Sequence, residues 1–141
     1  DVCSSDLYAT SATIGSNCTI GTTNPDATDG FITLDGKSTL ILDGENIDIT
    51  KPIYVKNRDS SIQIGDSYYP GEKITIKLSS SITNAYDNSE PYTLVSNYDE
   101  SKSNYFTIEC EDSTKTATLD ANGKITVSSK KKRKNVIVST L

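Results

Sequence analysis

Tyr69-Pro70-Gly71-Glu72-Lys73-Ile74-Thr75-Ile76-Lys77-Leu78 is the stretch whose reading decides the fold class. Pro70 presets the φ of a first corner and Gly71 accepts a second, so a turn opens the segment. Beyond it, Ile74, Ile76 and Leu78 alternate with Lys73, Thr75 and Lys77. In an extended chain successive side chains point to opposite faces, which predicts a strand with one buried and one wet face.

The same period continues in both directions. Toward the N-terminus, residues 31–34 and 38–42 flank Asp35-Gly36, a two-residue hairpin signal that suits a type I′ turn. Asp43-Gly44 follows and leads to Ile47 and Ile49, then Ile53 and Val55, then Ile62 and Ile64. Toward the C-terminus, strands are predicted over 92–95, 105–110, 116–119, 124–127 and 136–141, with Asp120-Ala121-Asn122-Gly123 as a tight hairpin loop. About ten short strands with turn signals every 8–12 residues predict an all-β domain, an antiparallel β-sandwich. Residues 30–141 form that sandwich in this reading. Residues 1–29, rich in Ser, Thr, Gly and Asn with weak alternation, form an irregular N-terminal arm or an extra edge strand. The eight-residue interval between Asp35-Gly36 and Asp43-Gly44 raises a β-solenoid as the alternative, although the period stops after two coils. Ile74, Ile76, Phe106, Ile108, Ile125 and Val127 are the predicted core.

Two stretches resemble known extracellular families. The Tyr69–Leu78 segment resembles the Pro-Gly-Glu strand of many immunoglobulin-like domains. Ala117-Thr118-Leu119-Asp120-Ala121-Asn122-Gly123-Lys124-Ile125-Thr126-Val127 is similar to a hairpin of bacterial immunoglobulin-like domains of the second group. The first segment, followed by a late cysteine and a closing strand, also resembles a reeler domain. These likenesses cover about a third of the chain. They imply an immunoglobulin-like sandwich outside the cell, and no site residues carry over.

With 141 residues the chain is long enough to bury a core without covalent staples. Net charge is −5, but Lys130, Lys131, Lys132, Arg133 and Lys134 are consecutive, so the remainder carries −10. An acidic body argues against nucleic acid as the partner, since phosphate binding needs a basic face. No stretch is long and apolar enough to predict a membrane span. The chain begins Asp-Val-Cys and has no Met, which reads as a processed start and favours an extracellular or cell-surface location. Cys3, Cys18 and Cys110 then offer one disulfide, with Cys18–Cys110 preferred over Cys3–Cys18. Asn17-Cys18-Thr19 is an N-glycosylation sequon, which agrees with secretion.

Histidine is absent, which removes Ser-His-Asp and Cys-His catalysis and the imidazole metal ligands. Cys110 alternates with Phe106 and Ile108 toward the core, a poor place for a nucleophile. Asp26 and Asp29 in one turn-rich segment, and Asp87 and Glu90 in another, are weak calcium candidates that lack the spacing of a calcium-binding hand. No other cofactor is expected. The eight tyrosines offer rings for sugars or interfaces, although strand tyrosines with hydroxyls at the rim explain them as well. Lys130 to Lys134 read as a basic tip that docks to an acidic glycan or to the acidic body of another copy.

The expectation is therefore a non-enzymatic structural module of an extracellular assembly: a stalk, surface-layer or filament subunit that assembles by strand addition. Its partners are copies of itself or other extracellular proteins. The alternative is a polysaccharide- or protein-binding adhesion module. A small β-rich glycoside hydrolase comes third, since carboxylates are plentiful but none is singled out as a pair.

Overall fold

The computed structural model describes residues 11–20 and 32–130. Their strands are β1 (Ser11–Ile14), β2 (Thr19–Ile20), β3 (Ile32–Leu34), β4 (Thr39–Leu42), β5 (Asp48–Ile49), β6 (Ile53–Val55), β7 (Ser61–Ile64), β8 (Ile74–Leu78), β9 (Val95–Ser96), β10 (Phe106–Cys110), β11 (Lys115–Leu119) and β12 (Ile125–Ser129). The only helical pieces among the described residues are the single turn α1 (Ser80–Thr83) and a 3-10 turn at Glu100–Lys102. The chain is all-β.

Strand pairing departs from the expected antiparallel sandwich. Seven of the eight strand pairings among the described residues are parallel. One sheet runs β1-β4-β7-β9, a second runs β3-β6-β8-β10, and β2 pairs with β5. Chain order visits these sheets in rotation, so each circuit lays one rung on the last. On the third side, later rungs contribute a single parallel bridge from Glu45 to Tyr69. This is the solenoid arrangement kept as the alternative. Residues 11–20 of the expected arm form β1 and β2, an edge strand on β4 and a short partner for β5.

The turn chemistry explains the departure. A type I′ hairpin needs positive φ at both central residues. At Asp35-Gly36 only the glycine has it, at 64°. Asp35 Oδ1 instead accepts from the Gly36 N–H at 2.8 Å, and the chain turns a corner into a different sheet. One rung on, the buried Ser60 hydroxyl donates to the Gly36 carbonyl at 2.8 Å, tying the corners together. Pro70-Gly71 likewise makes a bend in which Gly71 keeps a negative or extended φ.

Stacked rungs place like on like. Ile32, Ile53, Ile76 and Ile108 follow one another across four parallel strands, and Leu34, Val55, Leu78 and Cys110 do so beside them. On the facing sheet Ile14, Leu42 and Ile64 form a third ladder, and Leu40, Ile62 and Val95 a fourth. Almost all of these side chains are buried, each worth about 2–3 kcal/mol of transfer free energy. The expected core is found at Ile74, Ile76, Phe106, Ile125 and Val127. Ile108 is only half-buried, because β10 is the outermost strand of its sheet and has a neighbour on one side.

The hairpin read at Asp120–Gly123 is present. Strands β11 and β12 pair antiparallel from Lys115↔Ser129 to Leu119↔Ile125, and Gly123 sits at φ 78°. This hairpin covers the last rung. The Gly123 carbonyl accepts from Leu94 and Val95 N–H at 3.0 and 3.1 Å, and Ile125 N–H donates to the Tyr92 carbonyl at 2.9 Å. Asn88 grips the Val127 backbone at both its N–H and its carbonyl, each at 2.9 Å. Such a cap keeps the apolar end of a stacked fold out of water.

Candidate functional site

Two clefts stand out on the described surface, and each arises where a corner departs from the tight stacking of the coil. The first sits between β6 and β7, where residues 56–60 turn the corner. One rung later the equivalent connection runs from 79 to 94 and swings outward. The cleft between them, about 560 Å³, is lined by Lys56, Asn57, Arg58, Asp59, Ser81, Ile82 and Tyr92. Both of its cations are already engaged, Lys56 with its ammonium 5.8 Å from the Tyr54 ring centre. The Arg58 guanidinium lies 5.3 Å from the Tyr86 ring centre and donates to the Glu90 carbonyl at 3.2 Å. Tyr92 is 7% exposed, so its ring face is closed to a ligand.

The second cleft lies beneath the capping hairpin, at the outer edge of β10. It measures about 450 Å³. Lys77 of β8, Lys115 of β11 and Lys130, just past β12, supply ammonium groups; Glu109 supplies one carboxylate. Ile108, Cys110 and Ala117 make an apolar floor, and Ser113 and Thr116 add hydroxyls. Lys115 is steadied by donating to Ser129 Oγ at 3.1 Å. The Lys130 N–H donates to the Thr114 carbonyl at 2.8 Å, which fixes the start of the basic run. Asp112, close by, is held in its ionised form mainly by the Thr114 hydroxyl and N–H, with Lys115 adding to the effect.

The sequence-derived candidates are dispersed. Lys130 is in the second cleft, whereas Lys131, Lys132, Arg133 and Lys134 lie outside the described residues, as do Cys3, Asp26 and Asp29. No disulfide joins Cys18 to Cys110. Cys18 belongs to the first rung and Cys110 to the fourth, about three strand spacings or ~14 Å away, whereas bonded cysteines need Cα atoms within ~7 Å. Burial raises the Cys110 thiol pKa and Asp112 adds to the effect, so the thiol is held in its protonated form. Asn17 is exposed at a corner with φ 64°, and its side-chain oxygen accepts from Asn46.

Asp87 and Glu90 share one turn, in which the Glu90 N–H donates to the Asp87 carbonyl at 3.1 Å. Asp87 Oδ1 takes both the hydroxyl and the N–H of Ser89, at 2.7 and 2.9 Å, which lowers its pKa. No group of three or more acidic or sulfur ligands comes together among the described residues. The tyrosines serve mostly inside the fold. Tyr86 donates to the Ile125 carbonyl at 2.8 Å, Tyr54 donates to Glu111, and Tyr68 meets Tyr105 edge-on at 5.6 Å. Tyr69 is the one strongly exposed large apolar side chain among the described residues, at 68%.

Lys77 and Lys115 are the residues that sequence reading missed. Lys77 looked like an ordinary solvent-facing strand position, and Lys115 lay just ahead of the strand expected over 116–119. Their convergence depends on the hairpin folding against β10, which no local pattern encodes. Comparison with protein-family models, curated proteins and solved structures gave no match to this chain.

Proposed function

We propose that the chain is a non-enzymatic structural module of an extracellular assembly, a stalk, surface-layer or filament subunit. The observation that carries this reading is the set of aliphatic ladders running rung to rung from β1 through β10. A coil of this kind is a stiff spacer, because every rung is hydrogen-bonded to its neighbours and shares their core. The antiparallel hairpin blunts one end, while at the other β1 and β3 are the outermost strands of their sheets among the described residues. A sheet edge is a template for a further strand, and head-to-tail addition gives fibres rather than closed rings.

The glycoside hydrolase alternative is the weaker fit on charge chemistry. A glycosidase needs one carboxyl group held protonated near neutral pH. The shifts resolved for carboxylates of the described residues, at Asp87, Asp99, Glu111 and Asp112, all run the other way, toward the ionised form. The immunoglobulin-like resemblance is not carried into this reading, since those domains pair their strands antiparallel. A second reading, an adhesion module for polysaccharide, is favoured by the lysine-rimmed cleft.

Light scattering over a rising concentration series tests the structural reading. Mass that climbs past the monomer without settling at a small closed oligomer supports it. A constant monomer mass up to millimolar protein overturns it.

A further inference from the structure

We infer that the seam between β10 and the capping hairpin receives an extended peptide segment of another protein, which pairs with β10 as an added strand. The Ile74 N–H donates to the Tyr105 carbonyl and the Glu111 N–H to the Leu78 carbonyl, so the odd-numbered residues of this strand face β8. In a parallel pair the alternate residues turn their backbone groups the other way. The N–H and C=O groups of Phe106, Ile108 and Cys110 therefore line the outer edge, and no described residue bonds to them. Across the seam, Lys130 N–H to Thr114 and Asp120 N–H to Lys124 put the pairing with β12 on the even-numbered residues of β11. Ala117 and Leu119 thus turn their backbone groups away from β12, and these too have no partner among the described residues. A row of unpaired backbone donors and acceptors is a template for a further strand.

The hollows along the seam suit the side chains of such a strand. Ile108 and Ala117 border both the cleft of about 450 Å³, which reaches Cys110, and a second of about 320 Å³, which reaches Phe106 and Leu119. An added strand sends every second side chain to one face, so two hollows in line along β10 take two of them. Phe106, Ile108 and Leu119 give the second hollow an apolar wall, which selects aliphatic side chains. Ile108 and Cys110 are the last members of their ladders and only half-buried; an added strand covers them as each later rung covers the one before it. Alternating donors and acceptors at strand spacing are what a peptide backbone offers and a sugar chain does not. The hairpin bounds the seam, so it admits a single extended segment and not the wall of a whole coil. Apart from the hairpin itself, the strands that the described residues of a second copy bring belong to such walls, so the segment comes from a different polypeptide.

The probe is the synthetic peptide acetyl-Glu-Val-Thr-Val-Thr-Val-amide, titrated into the whole chain while amide exchange is followed by NMR. Exchange at the Ile108 and Cys110 amides is expected to slow about tenfold at saturation, whereas Thr107 and Glu109, already paired with β8, change little. Of the two peptides N-methylated at alternate amides, at least one no longer binds, because the methyl groups remove the donors that face β10. Ile108→Pro removes a free N–H without breaking a bond to β8, and a proline at such an edge position is tolerated. It weakens binding about five- to tenfold, the scale of one hydrogen bond, with the Thr107 and Glu109 amides still protected. Equal binding of the parent and both N-methylated peptides overturns the proposal. So does protection of Ile108 and Cys110 in the chain alone at every concentration, since the chain then fills its own seam. Protection that grows with protein concentration and needs no peptide overturns it in favour of a second copy. Tighter binding of a polygalacturonate oligomer than of the peptide overturns it in favour of a carbohydrate site. None of these results decides whether the chain polymerises, which light scattering reads separately.

Discussion

Asn46 Nδ2 donates to Asn17 Oδ1 at 3.0 Å, and both residues sit in the left-handed region, at φ 61° and 64°. They occupy the same corner on successive rungs, just before β5 and β2. The pairing explains two features together. Asparagine tolerates positive φ better than other side-chain-bearing residues, and stacking at a one-rung offset brings its amide to its counterpart. The bond uses the Asn17 oxygen, not the nitrogen that a glycan at the sequon would occupy. Asn46→Gly keeps the backbone conformation and loses the bond, at a cost of about 0.5–1.5 kcal/mol. Asn46→Ala also strains the backbone, adding about 1 kcal/mol. Urea denaturation of both variants checks the order; equal losses would show that backbone strain plays no part.

Ile76 lies fully buried between Ile53 and Ile108 on adjacent rungs. Its truncation to Ala removes contacts on both sides and leaves a cavity that stiff neighbouring rungs cannot collapse. The expected loss is about 2–5 kcal/mol by chemical denaturation. A loss under about half a kcal/mol would mean that the ladder is not the core.

At Gly123 a Cβ would lie 1.9 Å from the Val95 carbonyl oxygen, at a φ of 78°. Gly123→Ala must therefore push the hairpin off the last rung. Hydrogen exchange is the suitable reading: Leu94 and Val95 amides, which donate to the Gly123 carbonyl, lose protection ahead of those in β6. Uniform loss across the chain would point to a general destabilisation and against a separable cap.

Tyr68 and Tyr92 are buried, and burial raises both hydroxyl pKa values. A group whose pKa is raised on folding stabilises the fold below its unfolded value, near 10 for tyrosine. Stability is therefore full below about pH 10 and falls as pH rises beyond it, because the unfolded chain can ionise these phenols. An absorbance titration should show two phenols that ionise only with unfolding. The Tyr68 hydroxyl is buried without a hydrogen-bond partner. Tyr68→Phe is accordingly neutral or stabilising by up to about 1 kcal/mol, and a clear destabilisation would mean that the hydroxyl has a partner.

What could be read from the sequence follows the range over which its signals act. Alternation within Glu72–Leu78 gives both strand and buried face, because the period of two is local. The Asp120–Gly123 hairpin is legible for the same reason: its two strands are neighbours in sequence. The partner of β3 is not legible. Asp35-Gly36 serves a hairpin and a solenoid corner equally well, and the choice turns on the φ of Asp35. Nor does a fixed repeat announce the coil. Ile32 stacks on Ile53, 21 positions on, but Ile76 stacks on Ile108, 32 positions on, because the later rungs carry insertions such as residues 79–94. The basic cleft is hidden for a related reason, since Lys77 and Lys115 are brought together only by the last rung and its cap.

Electron microscopy of the purified chain at high concentration tests the central claim most directly, that this stiff coil is an assembling structural module. Extended filaments or ordered arrays, built from units one coil wide, are the predicted result. Dispersed single particles of monomer size under the same conditions would contradict it.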